Sequence, residues 1–182
     1  ARCVCVCACL SQHIFFVGCA VHCLDLCIED IAKIPEINAV IASFHFMTLF
    51  VKRYGLIFEC FKAESKREYS QSAVGLCIYL LTRFAYAEKM IVNATKNQKV
   101  IKNIPDDPVF AMVRKKQKVE NRKDFEKFEL LAADKKNWQG GNAVAHILTP
   151  LSAMLHFWRE IPYRPHFSFL FTGSSLLIYT SC

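Results

Sequence analysis

The chain has 182 residues, enough for one domain with a sizeable core, and 53% of them are hydrophobic, so a globular protein is the default. Charge is uneven: Arg2 is the only Lys, Arg, Asp or Glu before Asp25, and none follows Arg164. Neither apolar end reads as a secretory signal or a membrane span, because Gln12, His13, His22 and Asp25 interrupt the first and Ser168, Thr172, Gly173, Ser174 and Ser175 the second.

At the N-terminus Cys3, Cys5, Cys7 and Cys9 alternate in one run, and Cys19, Cys23 and Cys27 follow at helical spacing. A secreted disulfide scaffold spreads its ten cysteines through the chain, so this clustering favours a reducing compartment. Four thiols on one strand face could capture a soft metal ion. The competing reading is an artefactual or disordered segment.

Residues Ile14 to Val17 are bulky and apolar and stop at Gly18, which predicts a short buried strand running into a turn. Ala20, Leu24, Cys27, Ile28 and Ile31 then recur at three- and four-residue steps, predicting a helix that breaks or restarts at Pro35, with Cys23 and Cys27 as core packing. The pattern resumes through Ile37, Val40, Ile41, Phe44, Met47 and Val51 as one long helix that ends near Gly55 or runs on to Phe61. KAESKREYSQS, residues 62–72, lacks apolar periodicity and is expected to be a loop leading into the β-prone stretch Ala73 to Leu81.

Thr82 can cap a further helix whose stripe is Phe84, Ala87, Ile91 and Ala94. After the IPDDP interruption, Asp106 or Asp107 as cap and Pro108 in the first turn predict a helix over Val109 to Val119. Phe125, Phe128 and Leu131 continue in helical register. Gly140 and Gly141 read as a turn before a last helix marked by Ala143, Ile147, Leu151, Met154, Leu155 and Trp158, which Pro150 should kink or divide. Trp138 and Trp158 are expected as core anchors. The fold class is therefore mostly α, with one or two short strands in the N-terminal third.

The net charge of +7 is concentrated in the run Arg114 to Lys123, which holds Arg114, Lys115, Lys116 and Lys118. Such a run attracts phosphate, or it is the solvated face of a surface helix.

Three segments, in order, resemble hAT-family DNA transposases. The first is IFFVGCAVHCLDLCIED, in which Cys19 and His22 open a helix and Leu24, Leu26 and Asp30 follow. The second is LLTRFAYAEKMI, with Thr82, Arg83, Phe84 and Ala85. The third is LAADKKNWQGGNAVAHILTPLSAMLHFWR, with Asp134, Lys135, Trp138, Pro150, Leu151, Leu155 and Arg159. Together they cover about residues 14 to 159. The resemblance implies a helical insertion domain with a short β remnant of a ribonuclease H-like core. On that footing 1–13 is unmatched, 14–34 is the strand and helix of the core, 35–160 is the helical insertion-type region and 161–182 is an unmatched apolar tail.

The family's chemistry needs two Asp and a distant Glu holding two magnesium or manganese ions, so that attacking and leaving oxygens are both polarised. No Asp or Glu precedes Asp25 here, where the family's second Asp would fall, and the expectation is an inactive fragment with no catalytic residue and no cofactor of its own. Cys19 and His22 are expected beside the core, with half a zinc site as the lesser alternative. Arg83 and Phe84 are expected to contact DNA, Phe84 by stacking on a displaced base, although the same ring could simply open its helix's apolar stripe. The resemblance implies a nuclear location, DNA and another copy of the chain as partners, and no membrane. The alternatives are a domesticated protein-interaction module and a cysteine-rich metal-binding protein.

Overall fold

Helices α1 (Ala20–Lys33) and α2 (Pro35–Arg53) meet at Ile34, and Cys23–Lys33 and Pro35–Arg53 are bent by 89° to each other. The computed structural model describes residues 20–78, 85–160, 166–172 and 175–181. Pro35 causes the break: it stands in the first turn of α2, where its missing N–H costs nothing, and it holds Ile34 extended at φ −57° and ψ 125°. Glu36 in the first turn and Lys52 and Arg53 in the last match the helix dipole. The strand expected over Ile14 to Val17 lies outside the described residues.

Helix α3 (Gly55–Tyr69) follows after Tyr54, whose extended φ of −103° and ψ of 101° end α2. It overturns the loop expected over 62–72. Phe61 and Ser65 bury one face, while Lys62 to Glu59 and Arg67 to Glu64, each at 2.7 Å, brace the exposed side at three-residue spacing. Ser70, at a left-handed φ of 49°, stops it, and a 3-10 turn occupies Ser70–Ser72. The β-prone stretch also departs from expectation: residues 73–78 belong to no helix or strand, and 79–81 lie outside the described residues.

Helices α4 (Ala85–Lys96) and α5 (Gln98–Asn103), a 3-10 turn (Ile104–Asp106) and helices α6 (Pro108–Lys116), α7 (Val119–Ala133) and α8 (Lys135–Glu160) complete the helical body. The predicted helix over Val109 to Val119 is shorter than expected, because Gln117 and Lys118 adopt extended ψ of 151° and 153°. Asp107 is the cap, its Oδ1 accepting from the Val109 amide at 2.7 Å. Strands β1 (His166–Thr172) and β2 (Ser175–Ser181) pair antiparallel, with Phe169 opposite Ile178.

Helix α2 is the hub, packing against α1, α3, α4, α7 and α8. Its stripe behaves as expected: Ile41, Phe44, Met47 and Val51 are buried. Phe50 stacks on Phe128 at 4.5 Å and meets Phe125 edge-on at 4.9 Å, while Phe44 meets Trp138 edge-on at 5.3 Å. Trp138 is the anchor anticipated, its indole N–H donating to the Ala132 carbonyl at 2.8 Å. The Trp158 side chain lies outside the described residues.

Three expectations need correction. Cys23 and Cys27 are exposed, because α1 buries Ile28 and Ala32 instead. Gly140 and Gly141 are not a turn: they sit within α8, where the lack of a Cβ lets Val40 and Phe44 of α2 approach. Helix α8 runs undivided through Pro150, and its buried face is Gly141, Val144, Leu148, Ser152 and Leu155, leaving Ala143, Ile147 and Met154 of the expected stripe exposed. Among the described residues no single helix is long and apolar enough to cross a membrane; α1 and α2 reach that length only as a bent pair.

Candidate nucleic-acid interface

The basic run turns a corner. Helix α6 ends with Arg114, Lys115 and Lys116 in its last turn, Gln117 and Lys118 break the helix, and α7 starts at Val119. Cations suit the end of α6, where unpaired carbonyls carry partial negative charge. Arg122, one turn into α7, reaches back and donates to the carbonyls of Gln117 at 3.3 Å and Lys115 at 3.4 Å. Its guanidinium therefore joins the corner rather than pointing along α7.

Arg114 behaves differently from its neighbours. It is half-buried and forks between Glu129 at 3.0 Å and Glu126 at 3.1 Å, so its charge is spent on holding α6 to α7. Lys115, Lys116, Lys118 and Lys123 are exposed, and among the described residues none of them is paired with a carboxylate. Five positive groups, Lys115, Lys116, Lys118, Arg122 and Lys123, thus surround one break in the chain. Glu120 is the only acidic residue between Arg114 and Lys123.

The second predicted contact, Arg83 with Phe84, lies outside the described residues, as do Thr82 and Cys19; His22 falls in α1, its side chain likewise outside them. The approach to Arg83 is described. Two buried asparagines, Asn93 of α4 and Asn97 in the turn between α4 and α5, hold the segment before Arg83: Asn97 Nδ2 donates to the Val74 carbonyl at 2.8 Å, and Asn93 Nδ2 to the Gly75 carbonyl at 2.9 Å and Cys77 Sγ at 3.1 Å. Ser65 of α3 donates to Asn97 Oδ1 at 2.8 Å and completes the network. Sequence reading missed these asparagines, since a polar residue in or beside a helix signals nothing until the backbone it bonds is known.

The third motif acquires structural roles. Asp134 Oδ1 accepts from the Lys136 amide at 2.8 Å and so caps α8, Trp138 and Leu155 are buried, and Leu151 is half-buried. Among the described residues no group of three or more His, Cys, Asp or Glu side chains is placed to hold a metal ion. No protein-family model, curated protein or solved structure matches this chain.

Proposed function

We propose that this chain is a non-catalytic, transposase-type helical module that contacts the DNA backbone through the corner between α6 and α7. One observation carries the reading: Lys115, Lys116 and Lys118 are exposed beside Arg122 with no carboxylate partner among the described residues, while Arg114 in the same run is neutralised. Unpaired cations clustered at one turn release counterions from a polyanion on binding and carry no sequence preference. The motifs around Cys19 and His22, Arg83 and Phe84, and Asp134 to Arg159 support the hAT assignment, and the strand that the sequence predicts over 14–17 would be the β remnant of its ribonuclease H-like core. Magnesium or manganese would belong to the acidic triad of the family, to which no residue between 1 and 182 is matched.

The test is anisotropy of a short labelled DNA duplex between about 50 and 200 mM salt. Binding should weaken steeply as salt rises, and the charge-reversed K115E/K116E/K118E chain should bind poorly at every salt concentration. Affinity independent of salt, or an unaffected triple variant, would remove the proposal.

A second reading, self-association through α8, rests on a different observation. From Asn137 to Trp158 the helix has no Asp, Glu, Lys or Arg, yet Ile147 is 46%, Met154 50% and Phe157 65% exposed. Ala143, Ile147, Pro150, Met154 and Phe157 alternate steps of four and three, the seam spacing of paired helices, and a neutral face meets its own copy without like-charge repulsion. Sedimentation of the M154E chain should then show less dimer than the parent; a parent that stays monomeric at high concentration excludes it.

A further inference from the structure

Helices α3, α5 and α6 and the turn before α6 enclose a cleft of about 520 Å³, within the range of roughly 300–1,000 Å³ typical of small-ligand sites. Its floor is apolar: Ile57, Phe61, Val100, Ile104 and Phe110 are each 6% exposed or less. Six charged side chains line it, Glu64, Arg67, Glu68, Lys99, Asp106 and Asp107. Four carboxylates against two cations leave two negative charges in a chain whose formal net charge is +7.

The pairing inside the cleft sharpens this imbalance. Arg67 is committed to Glu64 and Lys99 to Glu68, so both cations are already met by a carboxylate that also lines the cleft. Asp107 spends one oxygen on the Val109 amide. The exposed side chains of Asp106 and Asn103 have no hydrogen-bond partner among the described residues, and both line the cleft.

We propose that this cleft binds an organic cation, an ammonium or guanidinium group carried on a short apolar stem. The stem lies over the floor formed by α3, α5 and α6, and the cation lies against the Asp106 carboxylate, the Asn103 amide oxygen and the free oxygen of Asp107. The field in the cleft agrees: the Cys60 thiol in its wall is held above its ordinary range, by burial first and then by Asp107, Glu64 and Glu59, which oppose a negative sulfur. The same carboxylates that disfavour a thiolate favour a bound cation and repel an anion. This site stands apart from the basic corner at the other end of α6 and does not depend on it.

The experiment is a methyl and amide NMR titration of the full chain with three probes of one shape, 1-butylammonium, 1-butanol and butyrate, reading Val100, Ile104 and Val109 against exposed Leu130 as the remote control. Butylammonium should shift the cleft signals saturably, butanol should bind about fivefold more weakly, and butyrate should leave them in place. Asp106→Asn should weaken butylammonium by a similar factor and leave butanol unchanged. A blocked lysine tripeptide distinguishes the source: binding tighter than butylammonium identifies a basic peptide, weaker binding a free amine, and either supports the site. Equal binding of all three probes, or shifts no larger at Val100, Ile104 and Val109 than at Leu130, would overturn it.

Discussion

Gly141 of α8 lies against the ring of Phe44 of α2, so near that a Cβ at position 141 would stand 2.3 Å from Phe44 Cζ. The ring has nowhere to go: Phe44 is fully buried and already packs at right angles to the ring of Trp138. Gly141→Ala should therefore destabilise the chain by about 1–3 kcal/mol even though alanine favours the helix. Gly140→Ala meets only a Val40 methyl at 2.9 Å, on a half-buried side chain, and should cost less. Urea midpoints for the two variants settle the order; a Gly141→Ala chain as stable as the parent would mean that α2 and α8 do not pack this closely.

Asn97 is fully buried and bonds to three groups, Ser65 Oγ and the carbonyls of Val74 and Asn93. Asn97→Ala leaves buried polar atoms without partners and should cost about 1–3 kcal/mol. The loss should be local in its signature: amide exchange over residues 73–77 rises ahead of exchange in α2. Uniform exchange changes across all helices would refute the role of Asn97 as a fastening for that segment.

Alkaline pH should weaken the fold through two groups. Burial raises Tyr54 above its ordinary 10.0 and Cys60 above its ordinary 9.0. A raised value means the folded chain holds the proton more tightly than the unfolded one, so this stability is complete below the unfolded value and is lost as pH climbs through the folded one. Denaturant midpoints should fall above about pH 9, and Cys60 should alkylate with a pH midpoint above that of free cysteine. Tyr54→Phe should flatten part of the fall at little cost near neutrality, because the buried Tyr54 hydroxyl has no hydrogen-bond partner among the described residues. A large loss at pH 7 in that variant would show that the hydroxyl is satisfied after all.

Arg114 and Lys116 are two residues apart in one basic run and should part company in a binding assay. Lys116→Gln should lower the slope of DNA affinity against salt by about 0.9, the counterion equivalent of one phosphate contact. Arg114→Gln should leave that slope unchanged and instead loosen α6 from α7, since Glu126 and Glu129 already hold its guanidinium. Equal slopes for the two variants would contradict the division of labour.

What could be read from the sequence follows from where the information resides. Helix α2 was legible because Ile41, Phe44, Met47 and Val51 are both apolar and inward, and the start of α6 because Asp107 and Pro108 encode it within two residues. Helix α3 was not, because beyond Phe61 its buried face is a single serine whose partner lies 32 residues away. The face of α8 was misassigned for a related reason: Ile147 and Met154 are apolar but outward, and Gly141 and Ser152 are inward but small. At the candidate interface the run of cations was visible, but the neutralisation of Arg114 was not, since it needs the chain reversal that brings residues 12 and 15 positions onward alongside it.

The asparagine clasp has a bearing on how this chain can vary. Val74 and Gly75 are tied to the turn just after α4 and to the middle of α4, so this segment is fixed by a helix that follows it in the chain. A substitution that frays the last turn of α4 should therefore release Val74 and Gly75 as well, although they precede that helix in the chain.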